Sequence, residues 1–327
     1  MTPWVIGIDI GGTNCVVGAV AADGSRIVGD HSLPTGAARG ADAVIADVIA
    51  MANRSIATLK AGDSRAEVIG VGIGAPGPLD IRNGIVRLTP NLGWTNLPLR
   101  ARVGEGLKLA AALENDANCA VHAECWVGAA QHRRYVIGLT LGTGIGGGIV
   151  IDGALYHGAS DSAAEFGHVV IDNDGPLCGC GNHGCLEAFA SGVSIARRAR
   201  ELLAHTGPSV LRELVGGDLT RVTAELVYEA AAKGDLRAQQ VADDTARYLG
   251  IGVANFVNIF NPDTVVILGG VIHAGEALFA PLRREVAARA FKPAVDTCTI
   301  IPGALGGLAG VYGAAKAFLD QRAAGLI

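Results

Sequence analysis

No run of lysine or arginine appears anywhere in the 327 residues, and the formal net charge is -5. That absence excludes the electrostatic footprint of a nucleic-acid binder or of a protein held on an anionic membrane. Nor does any apolar run approach the roughly 20 residues that a membrane-spanning helix needs. The N-terminal stretch, MTPWVIGIDIGGTN, has neither a basic lead nor a small-residue cleavage site, so a cytoplasmic protein is expected. A small soluble ligand is left as the natural partner. Half of the residues are hydrophobic, which argues against disorder, and the length suffices for two domains, each with a core.

Cysteine is sparse as well. Of seven, Cys15, Cys119, Cys125 and Cys298 are scattered in apolar or small-residue settings, as reduced thiols in a reducing compartment are. The other three are crowded. Cys178, Cys180 and Cys185 fall within eight residues, and His168 lies ten positions before the first of them. Cys3His is a closed structural zinc set, and Gly179, Gly181 and Gly184 let the backbone turn tightly enough for the sulfurs to converge. Disulfides are the poorer reading, because Cys178 and Cys180 are too close to pair comfortably. Plain buried thiols do not suit so polar and glycine-rich a stretch. A nucleic-acid zinc knuckle needs basic and aromatic neighbours where this chain has Asp172, Asp174, Glu165 and Glu187. Those two glutamates bracket the cluster, so fixing a metal also fixes where two carboxylates point.

Glycine is abundant, with 47 residues concentrated in a few clusters. Val5 to Ile10 reads as a strand that stops at Asp9-Ile10-Gly11-Gly12-Thr13-Asn14, resumes at Val16 to Val20 and turns at Asp23-Gly24. A dinucleotide fingerprint has a helix after its glycines, so this hairpin speaks against a Rossmann fold. The pattern returns. Tyr135 to Leu141 is a strand, Gly142 to Gly148 a glycine and threonine turn, Ile149 to Ile151 a strand, and Asp152-Gly153 the closing turn. An internal duplication with a cleft between the copies is expected, the two loops holding a polyphosphate through backbone amides and threonine hydroxyls.

Elsewhere, apolar spacing predicts a helix from about Gly40 to Lys60, and Val68 to Ile73 a buried strand ending in Gly74-Ala75-Pro76-Gly77-Pro78. Asn91 to Trp94 is a polar turn whose Trp94 either packs at the loop base or touches a ligand. Leu109 to Leu113 leads into Glu114 to Asn118 before a helical stretch from Ala120 to Ala130, so Asp116 stands where a strand ends and a helix begins. It is either the helix N-cap or a ligand-facing acid at a strand's carboxyl end. Gly192 to His205 and Thr223 to Lys233 read as helices separated by a polar segment, Thr206 to Asp218. Asp235 can cap a long helix ending near Asn261-Pro262. Asp263 to Leu268 is a buried strand. The Gly269-Gly270-Val271 turn that ends it either admits a flat ring or serves close helix packing. Leu305 to Leu319 is a last helix that packs back on the first domain.

These motifs resemble the ROK family of sugar kinases and sugar-responsive repressors, within the actin and hexokinase superfamily. Asp9 to Thr13 is similar to its first phosphate motif, Thr140 to Gly148 to its second, and Glu165-Phe166-Gly167-His168 with Cys178, Cys180, Cys185 and Glu187 to its zinc and sugar signature. The resemblance implies an α/β, two-domain actin-like ATPase fold of the ribonuclease H-like type, with a zinc knuckle. The domains expected are 1–116, joined by a C-terminal helix at 304–327, and 117–303. The implied activity is ATP-dependent phosphorylation of a hexose at its 6-hydroxyl, most simply glucose. N-acetylmannosamine, N-acetylglucosamine and fructose are alternative substrates, polyphosphate an alternative donor, and a non-catalytic sugar-sensing regulator an alternative function. Repressors of the family carry a DNA-binding domain before the first phosphate motif, whereas this chain starts almost on the strand, which favours a kinase. Asp116 is the implied general base; Asn91, Asn115, Asp116, Glu165, His168 and Glu187 the sugar ligands; His168, Cys178, Cys180 and Cys185 the structural Zn2+ ligands. Asp9 is expected to position Mg2+, and Gly11, Gly12, Thr13, Asn14, Thr140, Gly142, Thr143, Gly144 and Gly269 to bind ATP. A homodimer or homotetramer is expected, with no nucleic-acid or membrane partner.

Overall fold

The computed structural model describes residues 3–204 and 207–327. Thirteen strands are found among them: β1 Trp4–Ile10, β2 Asn14–Ala21, β3 Ile27–Pro34, β4 Val68–Ala75, β5 Leu79–Asp80, β6 Ile85–Thr89, β7 Trp94–Leu97, β8 Ala111–Asn115, β9 Val136–Leu141, β10 Ile145–Ile151, β11 Ala154–Leu155, β12 Thr264–Leu268 and β13 Thr299–Pro302. The α-helices are α1 Ala41–Gly62, α2 Leu99–Leu107, α3 Asp116–Val127, α4 Leu186–Ala190, α5 Gly192–Ala204, α6 Val210–Leu214, α7 Ala224–Ala232, α8 Leu236–Phe260, α9 Glu276–Arg289, α10 Lys292–Val295 and α11 Ala309–Ala323.

Two five-stranded sheets repeat one plan. The first runs β3-β2-β1-β4-β8 and the second β11-β10-β9-β12-β13. In the first, β1, β2 and β3 form an antiparallel meander, and β4 and β8 add in parallel. In the second, β12 and β13 add in parallel to β9 in the same manner. The recurrent strand and turn pattern in the sequence is therefore a duplicated sheet topology. A small third sheet, β5-β6-β7, had no sequence signal strong enough to predict it, since its strands are two to five residues long.

The fold divides into two compact units that are discontinuous in sequence. One comprises the chain up to His132, Gly148–Ala163 and Ala304–Ile327, and the other Arg133–Gly147 and Ala164–Gly303. Helix α3, which a boundary at 116/117 assigns to the C-terminal domain, lies in the first unit.

The core of the first unit is built from the inward residues of its sheet, Ile6, Ile8, Ile10, Val17, Val71, Ile73 and Leu113, and from the buried stripe of α1, Val44, Val48, Met51 and Leu59. Each such side chain contributes about 1.5–3 kcal/mol through burial. Helix α11 packs on the same sheet at unusually short range, because glycines face it. A Cβ on Gly72 would stand 1.7 Å from the Ala314 carbonyl oxygen. The second unit holds α8, begun by Asp235, whose Oδ1 accepts from the Arg237 and Ala238 amides, and ended by Asn261 in the left-handed region at φ 45°. Polar residues 206–218 were expected to separate two helices, but a short helix, α6, forms there, capped by Ser209. At five residues it is too short to show a period. The predicted helix Gly192 to His205 is α5, and its last residue, like Thr206, lies outside the described residues. Among the described residues no helix is long and apolar enough to cross a membrane.

Candidate active site

In the first unit, β1 ends on Asp9-Ile10 and the chain turns into β2 through Gly11-Gly12-Thr13. The Gly11 amide donates to the Asn14 carbonyl at 2.9 Å. Thr35, just after β3, pins the turn from its flank by donating its hydroxyl to the Gly11 carbonyl at 2.7 Å and its amide to the Thr13 carbonyl at 2.8 Å. Gly12, Thr13 and Asn14 are exposed, and a Cβ at Gly12 would meet nothing within 4 Å. The turn is thus held rigid from one side and open on the other, as an anion-binding loop requires.

Asp9 lies against α11, where a Cβ on Gly310 would come within 2.2 Å of its Oδ2. Burial first, and the nearby Asp116 carboxylate second, push the Asp9 carboxyl up to about 7. Asp116 stands at the end of the parallel strand β8, in the first turn of α3. The N-cap is Asn115, not Asp116: the Asn115 Oδ1 accepts from the Ala117 and Asn118 amides at 3.0 and 3.1 Å. The Asp116 Oδ1 accepts from the Ala117 amide at 2.8 Å. Because capping occupies its oxygen, Asn115 has its amide NH2 to offer a ligand. Asn91 is exposed between β6 and β7, whereas Trp94 is 3% exposed and packs in the core.

Sequence reasoning missed Glu114 and His157. Glu114 is buried beside Asn115 and its Oε2 lies 2.8 Å from the His157 Nε2. A charged residue in an otherwise buried strand was the available signal for Glu114. Nothing local marked His157, which is 43 residues away.

In the second unit, β9 leads through Gly142-Thr143-Gly144 into β10. Gly142 donates to the Gly144 carbonyl at 3.0 Å and accepts from the Gly192 amide at 2.9 Å, so the loop is tied to the start of α5. Thr140 is half-buried on β9, and Gly142 and Thr143 are exposed. The Glu187 Oε2 accepts from the Ile145 amide at 2.8 Å, and a Cβ on Gly144 would stand 2.4 Å from that same oxygen. Gly144→Ala should therefore displace Glu187, with a loss of tenfold or more in kcat/KM, about 1.4 kcal/mol; steady-state kinetics with a melting curve as control checks it.

A cavity of about 340 Å³ opens beside this loop, with Gly142, Thr143, Val193, Arg200, Glu225 and Val271 in its wall. Gly270 lines it as well. Gly269, at φ 94°, is exposed, and a Cβ on it would stand 2.3 Å from the Leu141 carbonyl oxygen.

The structure brings the four proposed metal ligands together. One donor atom each from His168, Cys178, Cys180 and Cys185 lies within 4.8 Å of the others. The Cys180 and Cys185 sulfurs are 3.7 Å apart, as are the Cys178 sulfur and the His168 Nδ1. A zinc tetrahedron with Zn–S distances of about 2.3 Å has ligand edges of about 3.8 Å, so the set fits that ion. Burial first, and the neighbouring thiols after it, push the Cys185 thiol up to about 12. A thiolate at this place calls for a cation. His168 turns Nδ1 to the sulfurs and its Nε2 toward Glu165, 4.0 Å away, while the Cys178 sulfur lies 3.7 Å from the Glu187 Oε1. The cluster is thus wired to both acids and, through Glu187, to the glycine loop.

The chain is similar to known proteins over nearly its whole length. A glucokinase of Thermotoga maritima is 39% identical over 318 residues, 97% of this chain and 98% of that protein. Among solved structures, a ROK family glucokinase from Streptomyces griseus in complex with glucose and AMPPNP is 35% identical, with a TM-score of 0.81 over 96% of this chain and 98% of its own. The ROK hexokinase from Thermus thermophilus is 32% identical, with a TM-score of 0.79 over 98% of this chain and 99% of its own. The fold is the mixed α/β fold of these proteins, and since the ROK family profile matches residues 5–321, the chain belongs to the ROK family.

Proposed function

We propose that the chain is an ATP-dependent sugar kinase that transfers the terminal phosphoryl group of ATP to the 6-hydroxyl of glucose. The observation that carries this reading is the carboxylate pair of the first unit. Asp9 and Asp116 stand at the carboxyl ends of β1 and β8, parallel strands on either side of β4, and are near enough for Asp116 to raise the proton affinity of Asp9. Carboxyl ends of parallel strands are where open α/β sheets hold ligands. The T. maritima relative carries the name glucokinase, and the S. griseus protein was solved with glucose and an ATP analogue.

In this reading Asp116 takes the proton of the attacking hydroxyl. It stands in the first turn of α3, directly after β8. Asp9 would hold Mg2+, which would neutralise charge on the transferring phosphoryl group. The amides of Gly11, Gly12, Thr13 and Asn14, and those of Gly142, Thr143 and Gly144 with the Thr140 and Thr143 hydroxyls, receive phosphate oxygens. The 340 Å³ cavity beside Thr143 suits the adenosine half of the nucleotide. Asn91, Asn115, Glu165, His168 and Glu187 bind the remaining sugar hydroxyls. Four protein ligands would close the site, so a bound zinc would be structural and would fix the His168 ring. Cytosolic location and assembly into a homodimer or homotetramer belong to the same reading.

A coupled assay on purified protein with glucose, N-acetylmannosamine, N-acetylglucosamine and fructose, each with MgATP or with polyphosphate, tests the proposal. The highest kcat/KM is expected with glucose and MgATP. Sugar binding without turnover on any of the four would establish a regulator instead. Cys180→Ser is expected to weaken zinc retention and raise glucose KM by about tenfold, with a smaller change in kcat, because the exposed sulfur supports the sugar ligand His168 and not the base. Metal analysis and steady-state kinetics of that variant check it.

A further inference from the structure

We infer that Glu114 and His157 form a positioning pair that sets the Asn115-Asp116 turn for proton transfer. The inference rests on the reading of Asp116 as general base. Glu114 is 2% exposed, and a carboxylate so deeply buried is tolerated only when its oxygens are hydrogen-bonded and its charge is offset. Its bonds are all spent on one small region. The Glu114 Oε1 accepts from the Asn115 amide at 2.9 Å and from the Asn118 side-chain amide at 3.0 Å, and Oε2 accepts from the His157 Nε2 at 2.8 Å.

Asn115 is the first residue of the turn and Asn118 lies one helical turn into α3, so a single carboxylate grips both ends of the segment that carries Asp116. The Asn118 Oδ1 is buried with no hydrogen-bond partner, which leaves Glu114 as the group that orients this amide. His157 reaches the carboxylate from just beyond the β10–β11 hairpin and is its ion-pair partner among the described residues. The hydrogen bond to Glu114 raises the proton affinity of His157, and the Glu114 and Asp161 charges add to it against partial burial. His157 makes its hydrogen bond to Glu114. It acts through Glu114, which makes it a positioning residue.

The test compares His157→Leu, which cannot donate, His157→Asn, whose amide stops short, and His157→Gln, whose amide nitrogen can reach the position of Nε2. Each is assayed with glucose and MgATP beside wild type and Asp116→Ala. His157→Leu and His157→Asn are expected to lose about tenfold or more in kcat, with glucose KM within about twofold of wild type. His157→Gln is expected to recover kcat to within about threefold. A kcat within twofold of wild type in the Leu and Asn variants, or a Gln variant as impaired as they are, overturns the inference. Should the Leu variant fail to fold, the contrast between the Asn and Gln variants decides the question alone. Activity in Asp116→Ala would refute the base assignment; an inactive Asp116→Ala beside an unimpaired His157→Asn would refute only the positioning pair.

Discussion

Asp116→Ala should lower kcat for glucose phosphorylation by about 10²–10⁴-fold, the range that a positioned general base contributes. Glucose binding should survive, with a Kd within a few fold of wild type by calorimetry, because the other sugar ligands are untouched. The fold should survive too. If Asp116 were the N-cap, its removal would cost about 1 kcal/mol of stability, but the cap is Asn115, whose oxygen accepts the Ala117 and Asn118 amides. Asn115→Ala is therefore the stability-sensitive neighbour, and the contrast between the two variants separates chemistry from capping. A kcat for Asp116→Ala within tenfold of wild type would remove the base assignment, and with it the main reason for reading the carboxylate pair as catalytic.

What the sequence makes legible here is what the chain holds close together. The proposed zinc ligands are four residues within one short glycine-rich stretch, so their convergence needs only local turns, and the structure brings them within 4.8 Å. The two glycine loops are equally local, each a turn between adjacent strands. Contacts that close long loops are different. Glu187 to the Ile145 amide spans 42 residues and Glu114 to His157 spans 43, and no periodicity in either segment points at its partner. The sequence offers Asp116 as a cap, and that Asn115 takes this place follows from a one-residue difference in where β8 ends, since both residue types cap helices well. Gly269 shows the same limit. Its sequence context suits a ring-binding turn and a close packing contact alike, and the approach of the Leu141 carbonyl to an otherwise exposed glycine carries no local sequence signal. The cavity beside Thr143 draws on several separate stretches of the second unit, so most of its wall carried no signal at all.

Asp9→Asn should abolish turnover and yet stabilise the ligand-free protein at alkaline pH. The Asp9 carboxyl is pushed from 3.8 up to about 7, mainly because the sheet and the Gly310 surface of α11 strip it of water, and further because Asp116 is close. Between those two values the folded chain binds a proton that the unfolded chain has released. The stability Asp9 contributes is thus full below about pH 4 and lost as the pH rises through 7. At pH 8 the ionised carboxylate should cost the apo protein about 2–4 kcal/mol. An isosteric amide keeps the packing and removes that cost, so Asp9→Asn is expected to melt above wild type at pH 8 and level with it at pH 4. Under the proposed role of Asp9 in holding Mg2+, turnover should fall more than a hundredfold. Thermal melts of both proteins across this pH range, without ligand and then with Mg2+ and a non-hydrolysable ATP analogue, carry the test. Added metal and nucleotide should flatten the pH dependence of the wild type and leave that of Asp9→Asn unchanged. Superimposable wild-type and Asp9→Asn melting curves at pH 8 would mean that Asp9 is not the desolvated acid the structure makes it, and its role as the metal-bearing carboxylate would lose its physical basis.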